Sequence, residues 1–99
     1  MRIISKKALR TFWQKYPDAQ RPLQSWYKIT RKAGWLDLAD VRKDFSQADP
    51  VGFCVVFNIG GNKYRMITKI NFRHQVVYIR FVLTHKAYSK EGWKHDCGC

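Results

Sequence analysis

The stretch that decides the fold runs from Phe53 to Leu83 and reads FCVVFNIGGNKYRMITKINFRHQVVYIRFVL. Its β-branched and aromatic residues are typical of strands, and they fall into three runs, at residues 53–59, 63–72 and 76–83. Gly60-Gly61-Asn62 separates the first two runs and predicts a hairpin turn, because these residues adopt positive φ at little cost. His74-Gln75 marks a second turn. The sequence therefore predicts a small antiparallel meander.

The same region carries an unbalanced charge. No Asp or Glu occurs between Pro50 and Lys90, whereas the segment holds seven cations: Lys63, Arg65, Lys69, Arg73, Arg80, Lys86 and Lys90. Like charges in a folded segment repel one another, so an anionic partner is expected. The whole chain has a formal net charge of +12 and a pI near 10.0, which favours a nucleic acid, an anionic membrane surface or an acidic protein as that partner.

Helical patterns precede the strands. A short strand is expected at Arg2–Ile4, followed by amphipathic helices from residue 6 to about 16 and from about 20 to 33. Residues 36–45 are ambiguous between a short helix and a turn, and residues 46–52 are expected to form a loop. The fold class predicted from this order is α+β, in a single domain over residues 1–99, with the helical hairpin packed on one face of a small, mainly antiparallel sheet.

The end of the chain is predicted to be poorly ordered, and the cysteines predict a reducing environment. The tail from about residue 94 is expected to fray, and Cys54 lies in an apolar run that favours a buried thiol. Cys97 and Cys99 are too close in sequence for an easy mutual bridge, so no disulfide is expected. A cytosolic location follows as the expectation, because no signal peptide and no membrane-spanning stretch can be recognised.

Strand alternation sorts the side chains of the meander into two faces. One face of the second strand is expected to carry Lys63, Arg65, Ile67, Lys69, Asn71 and Arg73. In the last strand Tyr78, Arg80 and Val82 should share a face, with Ile79, Phe81 and Leu83 in the core. The cations Lys63, Arg65, Lys69 and Arg73 are therefore candidates for binding a polyphosphate, although a plainly solvated face is the competing interpretation.

Candidate catalytic residues follow the last strand, in Thr84-His85-Lys86-Ala87-Tyr88. Cleavage of RNA by its own 2′-hydroxyl needs a base, an acid and a cation for the phosphorane. His85 is suited to proton transfer near neutral pH, Lys86 or Arg80 to stabilising the phosphorane, and Tyr88 to hydrogen bonding or stacking. These steps need no metal or other cofactor, and no acidic cluster suited to Mg²⁺ is present. The residue types leave open whether His85 is a capping or surface residue.

The sequence resembles a known family in several places: VFNIGGNKYR at residues 56–65, Tyr78-Ile79-Arg80, THKAY at residues 84–88, and the opening MRIISKKAL. These elements resemble the HigB toxins of bacterial type II toxin–antitoxin modules. The resemblance implies a RelE-like fold and a metal-independent endonuclease that cuts mRNA on the ribosome. It also implies a cognate helix-turn-helix antitoxin of the HigA type, through which alone operator DNA would be bound.

Carried onto this chain, the resemblance implies that Lys63, Arg65 and Arg80 contact RNA phosphates. It places His85, Lys86 and Tyr88 at the catalytic end. Ser89 departs from the acidic residue expected after the tyrosine, which makes His85 the stronger candidate for proton transfer, with His85 and Lys86 both open as the base. Two alternatives remain at this point: a ParE-like toxin that acts on a protein such as gyrase, and a basic RNA-binding module without catalysis.

Overall fold

The fold combines four α-helices with one five-stranded sheet in a computed structural model that describes residues 1–99. The helices are α1 (Lys6–Lys15), α2 (Gln20–Lys32), α3 (Leu38–Asp44) and α4 (His85–Ser89), and short 3₁₀ helices occupy Pro17–Ala19 and Gly92–Cys97. The strands are β1 (Arg2–Ile4), β2 (Asp49–Val51), β3 (Cys54–Ile59), β4 (Tyr64–Asn71) and β5 (Val76–Thr84). The predicted α+β class is therefore confirmed. None of the helices has both the length and the apolar character needed to span a membrane.

The sheet is mixed, with the strand order β1-β5-β4-β3-β2. The central strands form the predicted antiparallel meander, whereas β1 runs parallel to β5 with Arg2 opposite Val76. The expected loop at residues 46–52 is partly wrong, because Asp49–Val51 pairs with β3 as an edge strand. The meander thus occupies the middle of the sheet, and strands of three residues close both edges.

The main core lies between α1, α2 and one face of the sheet. Apolar residues at helical spacing in these helices, among them Leu9, Leu23 and Trp26, are fully buried. They belong to one cluster with Phe57 and Met66 of the sheet. Each such side chain stabilises the fold by about 1.5–3 kcal/mol through leaving water. Contacts of α1 with α2 and β5, and of α2 with β1, fix the helices against this face.

The opposite face, which we call the outer face of the sheet, is partly covered by the C-terminal segment. Trp93 and Cys97 are buried there against Val56 and Ile67, and Cys97 forms a disulfide with Cys54. The expectations of a frayed tail, of a free buried thiol at Cys54 and of no disulfide are therefore wrong. The physical reason is long-range: the chain turns back after α4 through a positive φ of 60° at Glu91 and returns to β3.

A β-bulge in β5 changes which side chains share a face. Ile67 pairs with Phe81 and Thr68 with Ile79, so Arg80 has no partner on β4. The extra residue shifts the alternation beyond it. Ile79 and Val82 consequently pack on the main core, Phe81 is exposed and Leu83 joins the cluster on the outer face. The expectation that Val82 shares a face with Tyr78 and Arg80, and that Phe81 and Leu83 lie in the core with Ile79, is wrong beyond the bulge.

Candidate functional site

Hydrogen bonds attach the short helix α4 to the end of β5. Thr84 caps it, because its Oγ1 accepts a hydrogen bond from the Ala87 amide at 3.2 Å. The His85 amide donates to the Lys63 carbonyl at 3.1 Å, which ties the start of the helix to the turn between β3 and β4. The predicted catalytic residues on this helix therefore have a fixed backbone position.

Tyr88 brings α4 into contact with the cationic strand β4. The Arg65 guanidinium carbon lies 5.3 Å from the centroid of the Tyr88 ring, within the range of a cation–π contact. Trp93 stacks on Tyr88 with 4.9 Å between ring centroids, and the Trp93 indole N–H donates to the Tyr88 carbonyl at 2.9 Å. Arg65 also donates to the Tyr64 carbonyl and to Asn62 Oδ1. These contacts orient a guanidinium and an aromatic ring side by side.

A polar cleft of about 370 Å³ opens beside this pair. It is lined by Arg42, Ser46, Gln47, Ala48, Asp49, Val56, Asn58, Arg65 and Tyr88. Across its wall the Asn58 amide donates to Gln47 Oε1 at 2.5 Å. Three of these residues, Arg42, Gln47 and Asn58, are not among the site residues predicted from the sequence. Asn58 had a usable signal, since it is polar within an apolar strand and lies opposite Arg65 in the register.

His85 and Lys86 are exposed and make no side-chain hydrogen bond or ion pair within the chain. His85 and Tyr88 are three residues apart on α4, so both side chains project from the same side of the helix. The His85 imidazole therefore projects from the Tyr88 side of α4, whereas Lys86, two residues from Tyr88, projects from the other side. Both groups can meet a substrate without first breaking a contact of the fold.

Lys63 is turned toward the helices and neutralised there. Its Nζ lies 2.6 Å from Asp18 Oδ2, and the Tyr64 hydroxyl donates to the other oxygen of the same carboxylate. The hydrogen bonds from Lys63 and Tyr64 lower the pKa of Asp18. The hydrogen bond to Asp18, with burial, raises the pKa of Tyr64 to about 12. An RNA phosphate would therefore have to compete with Asp18 for Lys63.

Arg80 and Lys69 share a second carboxylate, that of Asp96. Arg80 donates to both Asp96 oxygens, at 2.7 and 2.9 Å, and Lys69 Nζ lies 3.7 Å from Oδ2. The hydrogen bond with Arg80 lowers the pKa of Asp96 and raises that of Arg80. Arg73 lies beyond the opposite end of β4 from His85, about 25 Å away for an eight-residue strand.

The structure therefore divides the predicted site residues into three groups. Arg65, His85, Lys86 and Tyr88 lie together at one end of the sheet; Lys63, Lys69 and Arg80 are paired with carboxylates; and Arg73 is remote. No group of three or more His, Cys, Asp or Glu side chains is arranged so that it could hold a metal ion. The first group contains a guanidinium, an ammonium, a phenol and an imidazole, which are groups that phosphate binding and proton transfer use.

Comparisons with known proteins identify the family of the chain. A sequence model described as the HigB toxin, the RelE-like toxic component of a toxin–antitoxin system, matches residues 19–91. The chain is 32% identical over 91 residues to the mRNA interferase toxin HigB of Escherichia coli K12, covering 89% of this chain and 88% of that protein. It is 28% identical over 93 residues to the mRNA interferase HigB of Escherichia coli O6:H1, covering 91% and 90% of the two chains. The chain belongs to the HigB toxin family.

Proposed function

We propose that this chain is the toxin of a toxin–antitoxin pair and an endoribonuclease that cuts mRNA. The observation that carries the proposal is the meeting of Arg65, Tyr88, His85 and Lys86 at the end of the sheet, in a chain of the HigB family. Relatives that align over most of its length are named mRNA interferases. The substrate we assign is mRNA bound to the ribosome.

In this proposal the polar cleft receives the nucleotide next to the scissile bond. Arg65 lies at the rim of the cleft without a carboxylate partner, and its fork of N–H groups is suited to a phosphate oxygen pair. Tyr88, whose ring stacks on Trp93 and contacts Arg65, supplies its hydroxyl for a hydrogen bond, and Asn58 and Gln47 supply amide groups for the base edge. Arg73, which is exposed and has no carboxylate partner, adds to the positive field that draws RNA toward the protein, whereas the charge of Lys63 is offset by Asp18.

The reaction is transesterification within the RNA chain. The 2′-oxygen attacks the neighbouring phosphorus, the bond from phosphorus to the 5′-oxygen breaks, and a 2′,3′-cyclic phosphate and a 5′-hydroxyl result. We assign both proton transfers to His85, which accepts the proton of the 2′-hydroxyl and returns it to the departing 5′-oxygen, and stabilisation of the phosphorane to Arg65 and Lys86. A fixed cation at this place lowers the barrier because negative charge on the phosphorane oxygens grows as the reaction proceeds. No step of this scheme requires a metal.

The proposal extends to the fold and partners. Helices α1 and α2 form the hairpin of a RelE-like fold on one sheet face, leaving the site on the other face accessible. Membership of a toxin–antitoxin family implies an antitoxin, and we assign it to the helix-turn-helix HigA type. Operator DNA is bound only through that antitoxin, and the toxin acts in the cytoplasm, where its mRNA substrate is translated.

The test is primer extension on a translated mRNA, with and without ribosomes, using the wild type and His85→Ala. We expect strand breaks only with wild-type protein and ribosomes. The matched control is His74→Ala, since His74 is also exposed but lies in the turn between β4 and β5, at the far end of the hairpin. This control should cut like the wild type.

Three outcomes decide the assignments. Cleavage by His85→Ala at the wild-type rate would remove His85 from the reaction. Equal cleavage of free mRNA would remove the dependence on the ribosome. Absence of cleavage by the wild type in every condition would contradict the endonuclease proposal. Binding of each variant to the antitoxin verifies that it is folded.

A further inference from the structure

The C-terminal segment Gly92–Cys99, called the C-terminal cover below, lies across the outer face of the sheet. Its Trp93 and Cys97 side chains are 6% and 0% exposed. The Phe53 amide donates to the Cys97 carbonyl at 2.8 Å, and the disulfide joins Cys97 to Cys54 of β3. The segment is therefore attached covalently to the strand beneath it.

The cover places a carboxylate where an RNA phosphate is expected to bind. Asp96 accepts two parallel hydrogen bonds from Arg80, which is the geometry that an arginine also makes with a phosphate. Lys69 lies within ion-pair distance of the same carboxylate. Two of the cations predicted to hold RNA are thereby occupied by the protein's own acidic side chain.

The disulfide is the strongest attachment of the cover. Without it the cover keeps the buried Trp93 side chain and the hydrogen bond from the Phe53 amide, but its backbone is a 3₁₀ helix of six residues, longer than such helices usually run. The remaining ionic contacts are partly exposed, with the Arg80 side chain 44% accessible, and contacts of this kind contribute little. Phosphates of an RNA strand can displace a carboxylate held in this way.

The cover also lies outside the region that the family model matches. The HigB sequence model matches residues 19–91 and ends just before the cover begins. Cys54 lies within that match, but its disulfide partner does not. The pairing is consequently a feature of this chain beyond the matched region.

We propose that the C-terminal cover is an autoinhibitory segment under redox control: with the Cys54–Cys97 disulfide formed, Asp96 occupies Arg80 and Lys69, and reduction frees both cations for RNA. The proposal rests on the proposed function, since it concerns the RNA surface of the same site. In the reducing step a dithiol transfers two electrons and two protons to the disulfide. Cys54 and Cys97 become thiols, and the dithiol becomes a cyclic disulfide. Disulfides of cytosolic proteins are often of this reversible, redox-sensing kind.

The test measures binding of a fluorescent single-stranded RNA oligonucleotide by anisotropy, before and after reduction with dithiothreitol. All proteins carry His85→Ala, to prevent cleavage, and Cys99→Ser, because the exposed Cys99 thiol could otherwise link two molecules. We expect reduction to raise the affinity about tenfold at 0.1 M salt. The slope of log K against log salt should steepen by about 1.4, which corresponds to two more neutralised phosphates of a single strand.

Two variants separate the roles of the disulfide and the carboxylate. Cys97→Ser should bind like the reduced protein whether or not dithiothreitol is present. Asp96→Asn should gain affinity while the disulfide is intact. Its matched control is Glu91→Gln, because Glu91 is the acidic residue closest to Asp96 in the sequence but pairs with Lys94 and not with a cation of the sheet. This control should keep the response of the parent protein.

The outcomes distinguish this proposal from the proposed function. Equal RNA affinity of the oxidised and reduced proteins, or tighter binding by the oxidised one, would overturn the role of the cover. An Asp96→Asn variant that binds like the oxidised parent would overturn the role of the carboxylate. mRNA cleavage by the wild type is scored separately by primer extension. A rise in RNA affinity on reduction, without mRNA cleavage by the wild type, would therefore support the role of the cover and contradict the proposed endonuclease activity.

Discussion

Asp18 and Asp96 neutralise three cations of the acid-free segment, although neither carboxylate lies within it. Asp18 precedes the segment and binds Lys63, whereas Asp96 follows it and binds Arg80 and Lys69. The unbalanced charge seen along the sequence is thus partly balanced in space. Within the acid-free segment, the cation that lines the cleft is Arg65, and it has no carboxylate partner, which favours it as a phosphate ligand of the proposed site.

The ionisation of Tyr64 reports on the Asp18 contact. With the hydrogen bond present its pKa is raised to about 12. The stability that this contact contributes is therefore complete below the ordinary tyrosine value of about 10 and is lost as the pH rises through 12. In Asp18→Asn we expect the pKa of Tyr64 to fall toward that ordinary value. Alkaline titration of tyrosine absorbance, in wild type and variant, measures the shift; identical titrations would contradict the contact.

Substitution of Arg65 tests the phosphate-binding role directly. We expect Arg65→Ala to reduce the rate of mRNA cleavage by roughly 10²–10³-fold, the usual loss when one group that stabilises transition-state charge is removed. The matched control is Arg73→Ala, an exposed arginine at the far end of β4, which should retain nearly full activity. Rates are measured by single-turnover primer extension. Equal losses in both variants would mean that only net charge matters.

Among the elements, α4 depends on a single side-chain cap. Thr84→Ala should cost about 1 kcal/mol by removing the acceptor for the Ala87 amide. Because α4 carries His85 and Tyr88, the rate of mRNA cleavage should fall together with the stability. Thr84→Ser keeps the hydroxyl and should have nearly wild-type stability and cleavage. Urea unfolding and cleavage assays provide the two measurements. A Thr84→Ser variant as impaired as Thr84→Ala would show that the methyl group, and not the cap, is important.

The strands and helices were largely predictable because their signals are local. Alternation correctly grouped Arg65, Ile67 and Lys69 on one face of β4, and the Gly60-Gly61-Asn62 turn joins β3 to β4 as expected. Alternation failed at Arg80, where one extra residue shifts the face of everything after it. A bulge of this kind has no distinctive residue type, so the pattern of apolar side chains alone could not reveal it.

At the scale of the whole molecule, the sheet is covered on both faces by segments distant in sequence. The helices that precede the sheet build the main core, and the C-terminal cover builds the smaller cluster around Cys54 and Ile67. Arg65, His85, Lys86 and Tyr88 could be named as candidates from the sequence, and their roles stay predictions, whereas the contact of Asp96 with Arg80 could not be foreseen. Asp96 reaches Arg80 only because the chain reverses after α4, and that reversal carries no strong local signal.

The disulfide should make a measurable contribution to stability. Its two cysteines are 43 residues apart, and closing a loop of this length lowers the entropy of the unfolded chain. The chain-entropy relation limits the gain to about 4 kcal/mol, and we expect reduction to lower the free energy of unfolding by about 2–4 kcal/mol. Urea titrations of Cys99→Ser with and without dithiothreitol measure this difference. The Cys97→Ser variant has no disulfide to reduce and should unfold at the same urea concentration with and without dithiothreitol. Equal unfolding midpoints for oxidised and reduced Cys99→Ser would contradict the expectation.

The edges of the sheet have a consequence for association. Both edge strands are three residues long, Arg2 and Asp49 place charges on them, and Pro50 has no amide hydrogen to donate. Sheets with edges of this kind resist extension by a further strand, whether from a partner peptide or from another copy of the chain. Toxin molecules that accumulate in excess of their antitoxin therefore have no backbone template along which to polymerise. They should stay dispersed, and remain available for capture when antitoxin is synthesised again.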